Sequence, residues 1–180
     1  MDANAVAGLS AFAAAAAACL GVSLRRGRSA ALWRTLALLH AACALEVAIN
    51  LRYRFRNALI PLLQERGWYA SRTAWQGASI VVALLIGTAL AGWLWRRHRN
   101  EGAALGAIAG TALALTVMVV ETISLHRIDE VMYAHAGPLV AVAWAWLGAG
   151  AIVVASALRS SADLPRSPAS TRARAAGGDG

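Results

Sequence analysis

Two carboxylates in this chain lie inside apolar stretches, where an ionisable side chain is costly and is a functional candidate by default. Glu46 and Glu121 each come near the end of a run of roughly 20 mostly apolar residues. A carboxyl group in apolar surroundings can keep its proton near neutral pH, which suits it to general acid or base catalysis. The two residues are therefore the first candidates for proton transfer.

Their positions along the two apolar stretches predict that both carboxylates lie at nearly the same depth. Glu46 is about 24 Å and Glu121 about 27 Å from the beginning of its stretch, at 1.5 Å of helical rise per residue. Asn50 follows Glu46 by one helical turn, and Ser124 follows Glu121 by a similar distance. We therefore expect a polar layer at one end of a helical bundle.

Several polar residues next to these stretches extend the layer, and two interpretations of it stay open. An Arg can hold a phosphate or carboxylate through two parallel hydrogen bonds, so the layer could bind an anionic substrate. Alternatively, pairs such as Glu46 with Arg72, or Glu121 with Arg52, would only hold two helices in register. The candidates for catalysis are Glu46, Glu121 and His126, and those for substrate binding are Asn50, Arg52, Arg56, Arg72, Gln76, Ser124 and Asp129.

We expect neither a metal nor a cofactor. Two Glu and one His could bind a hard or borderline metal, but no Glu-x-x-His motif is present to organise a di-metal site. His40 and His126 differ in depth by about 15 Å, too much for two axial haem ligands. His40 is expected to be a hydrogen-bonded packing residue. Cys19 and Cys43 lie in apolar stretches without a Cys-x-x-Cys pattern.

The elements that must position these residues are five apolar helices. The 180 residues are 59% hydrophobic and 14% charged, with a mean hydropathy of +0.55, whereas soluble domains are about 25% charged. This composition excludes a soluble enzyme domain, a disordered chain and a disulfide-stabilised secreted module. It predicts an all-α integral membrane protein whose spans cover roughly residues 5–24, 30–50, 75–95, 103–124 and 138–158.

The first stretch resembles a signal peptide in position but not in charge. The residues before it include Asp2 and no basic residue, whereas a signal peptide begins with positive charge. We therefore expect a retained helix and five spans, or four if it is removed. Residues 1–159 form a single transmembrane domain in this interpretation, and residues 160–180 form a disordered basic cytoplasmic tail.

The segment after the second span has the pattern of an interfacial helix. Residues 51–63 mix apolar and basic side chains, Pro61 should kink this helix or start its second half, and Gly67 is placed to end it. Arg clusters follow the first, third and fifth spans, so these ends are predicted to be cytoplasmic and the N-terminus outside. The basic segment 51–74 then lies on the outer side.

The charge of +8 comes from 17 Arg against nine acids, and we attribute it to topology and contact with anionic lipids rather than to nucleic acid. A row of small residues at Gly102, Gly106 and Gly110 would let another helix approach closely. That helix could belong to the same chain, to a second copy or to a partner subunit.

Two functions remain open. The first is an accessory or structural subunit of an inner-membrane complex. The second is a membrane-embedded enzyme or binding protein that acts on an anionic lipid or lipid-linked substrate at the outer leaflet. No catalytic motif such as a P-loop or HExxH is present to favour the second.

The orientation is tested with a reporter fused after Gln64, in the basic segment. We expect a reporter that works only outside the cytoplasm to be active there, because the Arg clusters hold the flanking loops inside. A fusion after Arg99 is the control and should show the opposite result. Cytoplasmic reporter activity at Gln64 would contradict the five-span arrangement.

Overall fold

A computed structural model describes residues 1–25, 29–123 and 130–163 of the chain. Of these residues 88% are helical, and they include five helices that are long and apolar enough to span a membrane. The prediction of an all-α bundle of about five such helices is confirmed. The predicted tail at 160–180 lies outside the described residues from position 164 onward.

The helices follow the predicted stretches closely. They are α1 (Ala3–Arg25), α2 (Ala30–Ile49), α3 (Leu51–Glu65), a 3-10 turn (Trp68–Ser71), α4 (Arg72–His98), α5 (Gly102–Ile123) and α6 (Ala141–Ala162). The helix predicted after the second span is α3, which is a single helix with Pro61 inside it. Gly67, at a φ of 69°, comes two residues after its end, in a conformation that favours glycine.

The last helix begins three residues later than predicted. A short antiparallel ladder joins β1 (His135–Ala136) to β2 (Leu139–Val140), and the chain reverses between them at Gly137, whose φ is 71°. The apolar residues Leu139 and Val140 therefore belong to the hairpin, and α6 starts at Ala141. Hydropathy alone does not separate a short apolar strand from the first turn of a helix.

Four helices, α1, α2, α5 and α6, form the packed core, in which α1 packs on α2 and α6, and α5 packs on α6. The core has two clusters of buried apolar side chains. One cluster includes Phe12, Val47, Met118 and Trp146, and the other includes Cys19, Trp33, Leu36 and Val153. By contrast α4 packs on α5, and none of its residues 76–98 is buried.

A buried hydrogen bond joins α2 to α5 near the middle of the bundle. His40 is 1% exposed, and its Nε2 lies 3.0 Å from Oγ1 of Thr111. The Thr111 hydroxyl donates to the carbonyl of Ala107 at 2.8 Å, so His40 is the donor in its bond to Thr111. The His40 ring also lies 5.9 Å from that of Phe12. The expectation that His40 is a hydrogen-bonded packing residue is confirmed.

Small residues let the core helices approach closely. A Cβ atom added to Gly110 would lie 3.0 Å from the carbonyl oxygen of Ala149, and one added to Gly150 would lie 2.9 Å from that of Ala11. Gly106 likewise faces Ser156. Two members of the predicted small-residue row therefore face α6 of the same chain, whereas Gly102 faces open space.

We predict that Gly150→Ala destabilises the protein, because the new methyl group would meet the backbone of α1 and overpacking costs about 1–3 kcal/mol. Gly148→Ala is the matched control, since it lies in the same helix and faces open space. It should be neutral or stabilising by about 0.5–1 kcal/mol, the usual gain of Ala over Gly within a helix. Thermal unfolding in detergent compares the two variants, and equal Tm values would contradict the close approach.

Candidate functional site

The candidate site lies at the polar end of the bundle, where α2 and α5 finish and α1 and α6 begin. The turn between α2 and α3 consists of Asn50 alone, which adopts the left-handed conformation at φ 53° and ψ 46°. Asn is among the residues that tolerate this region. Its backbone N–H donates to the carbonyl of Glu46 at 2.7 Å, which closes α2 and turns the chain sharply into α3.

This turn places Arg52 between the two predicted carboxylates. Its Nη1 lies 2.8 Å from Oε2 of Glu121 and 3.4 Å from Oε2 of Glu46. The backbone N–H of Arg52 also donates to Oε1 of Glu46 at 3.2 Å. The side chain of Glu121 is only 2% exposed and that of Arg52 only 16%. The two carboxylates therefore converge on one guanidinium, and the Arg52–Glu121 pair expected from the sequence is present.

Apolar and aromatic groups complete the environment of the guanidinium. Cζ of Arg52 lies 5.3 Å from the ring centroid of Trp146, a favourable cation–π distance. Its Nη1 also lies 3.4 Å from the sulfur of Met118. Arg52 thus connects the first turn of α3 to side chains of α2, α5 and α6.

A cleft of about 260 Å³ opens beside this cluster. The hydroxyl of Tyr133 donates to Oε1 of Glu121 at 2.7 Å, which fixes one wall. The amide oxygen of Asn4, which also lines the cleft, accepts a hydrogen bond from the backbone N–H of Val140 at 3.0 Å. The polar and aromatic residues of the lining are Asp2, Asn4, Asn50, Arg52, Tyr53, Glu121, Thr122, Tyr133 and Trp146.

The structure brings together four of the ten predicted site residues, Glu46, Asn50, Arg52 and Glu121. Gln76 lies in α4, which contributes none of the described residues that line the cleft. Arg56 and Arg72 lie in α3 and α4, and the described structure does not extend to their side chains. Ser124, His126 and Asp129 lie outside the described residues.

Six polar or aromatic residues of the cleft were not among the predicted site residues, namely Asp2, Asn4, Tyr53, Thr122, Tyr133 and Trp146. Asn4 and Tyr133 lie beside the ends of apolar stretches, where polar and aromatic residues are common, so their types carry no specific signal. Trp146 lies within an apolar stretch and resembles a core residue. Asn4 could have been found by asking which polar residues lie at the same end as Glu46.

The described part of the cluster consists of ionic and hydrogen-bonded side chains. Within 1–25, 29–123 and 130–163, no group of three or more His, Cys, Asp or Glu side chains is arranged to hold a metal ion. The carboxylate of Glu121 accepts from Tyr133 and pairs with Arg52, so its position is fixed from two directions. Such a group can orient a ligand in the cleft or hold helices together.

No protein-family model, curated protein or solved structure matches this chain.

We predict that Arg52→Met destabilises the protein by about 3–5 kcal/mol, because it leaves two carboxylates without their shared cation in a largely buried site. Arg54→Met, at an exposed position on the same helix, is the control and should change stability by less than about 0.5 kcal/mol.

The triple variant Arg52→Met, Glu46→Gln and Glu121→Gln should regain most of the stability that Arg52→Met loses, because it removes the cation and both carboxylates together. Chemical or thermal unfolding in detergent measures all three variants. If Arg52→Met and Arg54→Met unfolded alike, the ion pairs would not hold the polar end together.

Proposed function

We propose that the chain is a multi-pass protein of the inner (plasma) membrane, with its N-terminus outside and its C-terminus in the cytoplasm. The five apolar helices support membrane insertion. The Arg clusters that follow α1, α4 and α6 support the orientation, because short cytoplasmic loops are enriched in basic residues. The polar end then faces the outer leaflet.

Within that membrane, we propose that the chain is an accessory or structural subunit of a larger complex. The observation that carries this proposal is the exposure of α4. None of residues 76–98 is buried, whereas 33–44% of the 18 most apolar consecutive residues in each of the other four apolar helices is buried within the chain. Most of the α4 surface is therefore available to lipid or to a helix of another protein.

The glycines of α4 favour a protein neighbour. A Cβ added to Gly87 or Gly92 would meet nothing within 4 Å, so these glycines are not needed for packing within the chain. Glycine weakens a helix compared with alanine, and in membrane helices it is typical of surfaces where another helix approaches closely. Lipid chains, in contrast, do not need a glycine on the helix surface in order to pack against it.

The ion pairs at the polar end agree with a structural role. Arg52 contacts two carboxylates and the face of Trp146, so these groups interact with one another across four helices. This is what a joint between helices requires, and it explains why charged residues occur at the ends of two apolar stretches.

A second candidate is favoured by the cleft, which could accept part of an anionic lipid or of a lipid-linked substrate. Its volume of about 260 Å³ is below the roughly 300–1,000 Å³ of sites for drug-sized ligands, so it suits a small headgroup. An anion would have to compete with Glu46 and Glu121 for Arg52, which is why we place this candidate second.

We predict that a photo-crosslinking residue at Leu85 of α4 captures a different polypeptide in native membranes, because this side chain is 65% exposed on the uncovered helix. The same residue at Leu38 of α2, which is 71% exposed, is the matched control and should give little of that product. Mass spectrometry of the adduct and native mass spectrometry of the gently extracted protein make the measurement. A lone chain that carries one defined lipid or small anion would favour the second candidate instead.

A further inference from the structure

The surface of α3 has an uncovered apolar stripe. Leu51, Phe55, Leu59 and Leu62 are separated by four, four and three positions, so they share one face of the helix. Their exposed fractions are 54%, 61%, 37% and 53%. Ile60 lies on the opposite face and Leu63 at the edge of the stripe, and both are half-buried, so most of the apolar face points away from the rest of the chain.

Basic residues surround this stripe. Residues 51–68 contain four arginines against one acid, Glu65. Arg54 borders the stripe and is exposed. Arg66, also exposed, follows the helix, and its guanidinium lies 5.9 Å from the ring centroid of Trp68, which is 58% exposed. An apolar face beside arginines and an exposed tryptophan is typical of a helix that lies in a membrane interface.

The joint at the polar end sets the position of α3 relative to the apolar helices. Asn50 is the only residue between α2 and α3, and Arg52 in the first turn of α3 pairs with Glu46 and Glu121. The beginning of α3 is therefore held at the level where the apolar helices α2 and α5 end. In a bilayer this is the level of the lipid headgroups.

We infer that α3 and Trp68 form a binding surface for an anionic phospholipid bilayer. The apolar stripe enters the boundary between headgroups and acyl chains, and Arg54 and Arg66 contact the phosphate groups. This role is separate from that of a partner subunit on α4 and does not depend on it. The occupant is lipid rather than protein because the stripe is flanked by positive charge, which complements an anionic leaflet.

Pro61 is consistent with this position. Proline has no backbone N–H, so the carbonyl of Asn57, four residues earlier, loses its usual helical partner. Asn57 is exposed, so water or headgroups can reach its carbonyl. In the hydrocarbon region an unpaired carbonyl would be costly, whereas at the interface it is hydrated.

The test uses the full chain in nanodiscs of phosphatidylcholine alone or with about one third phosphatidylglycerol. Hydrogen exchange of the backbone amides in residues 55–65 is followed by mass spectrometry. We expect exchange to be about fivefold slower in the anionic discs, because lipid binding suppresses opening of the helix. The difference should disappear near 1 M salt, where the screening length falls to about 3 Å.

The double variant Arg54→Gln and Arg66→Gln should lose this lipid dependence while keeping its Tm, since both side chains are exposed. The matched control is the double variant Arg96→Gln and Arg97→Gln, at two exposed arginines near the end of α4. This control should keep the lipid dependence of exchange. Equal exchange rates in the two kinds of disc would overturn the proposal. If exchange of residues 55–65 were slower in native membranes than in either kind of disc, and equal in the two discs, the proposal would also be overturned. The surface would then be assigned to a protein.

A depth measurement gives a second readout. A nitroxide attached at Leu59→Cys should lie below the headgroups, and one at Gln64→Cys, on a different face of α3, should stay accessible to a water-soluble relaxation agent. Cys19 and Cys43 are buried and should not react with the label. Equal access of the agent to both positions would overturn the proposal.

Discussion

The guanidinium of Arg52 connects its own helix to side chains of three other helices. It pairs with Glu46 at the end of α2 and with Glu121 at the end of α5, and it lies over Trp146 of α6. Its own helix, α3, begins one residue earlier. Because the Glu121 side chain is almost completely buried, the cost of holding its charge away from water is met by this pairing and by the Tyr133 hydroxyl. The position of α3 follows from this constraint.

A second polar contact joins α2 and α5 at a different depth. The His40–Thr111 hydrogen bond lies near the middle of the bundle, whereas the Arg52 cluster lies at its end. Two polar contacts along one helix pair determine its register, because sliding either helix by one turn would break both. In an apolar environment, where hydrophobic burial does not separate one helix face from another, packing and hydrogen bonds of this kind determine which helices associate.

The molecule has a compact part and an open part. Glycines and alanines bring α1, α5 and α6 close enough for backbone contact, and the four core helices bury large side chains such as Phe12 and Trp33. By contrast α3, the 3-10 turn and α4 contact this core mainly through α5, and none of their described residues is buried. The stable core therefore carries two exposed helices of different character: α3 is amphipathic and basic, and α4 is mostly apolar. This difference is the physical basis for assigning them different neighbours.

The sequence by itself determined the number of apolar helices, most of their boundaries and the common depth of Glu46 and Glu121. These properties depend on hydropathy and on the rise per residue, both of which are local to one helix. It did not determine that Arg52 rather than another arginine would bind both carboxylates, nor that Asn4, Tyr133 and Trp146 would line the same cleft. The tertiary structure decided these contacts, because the order and rotation of helices in a bundle depend on packing between residues far apart in the chain.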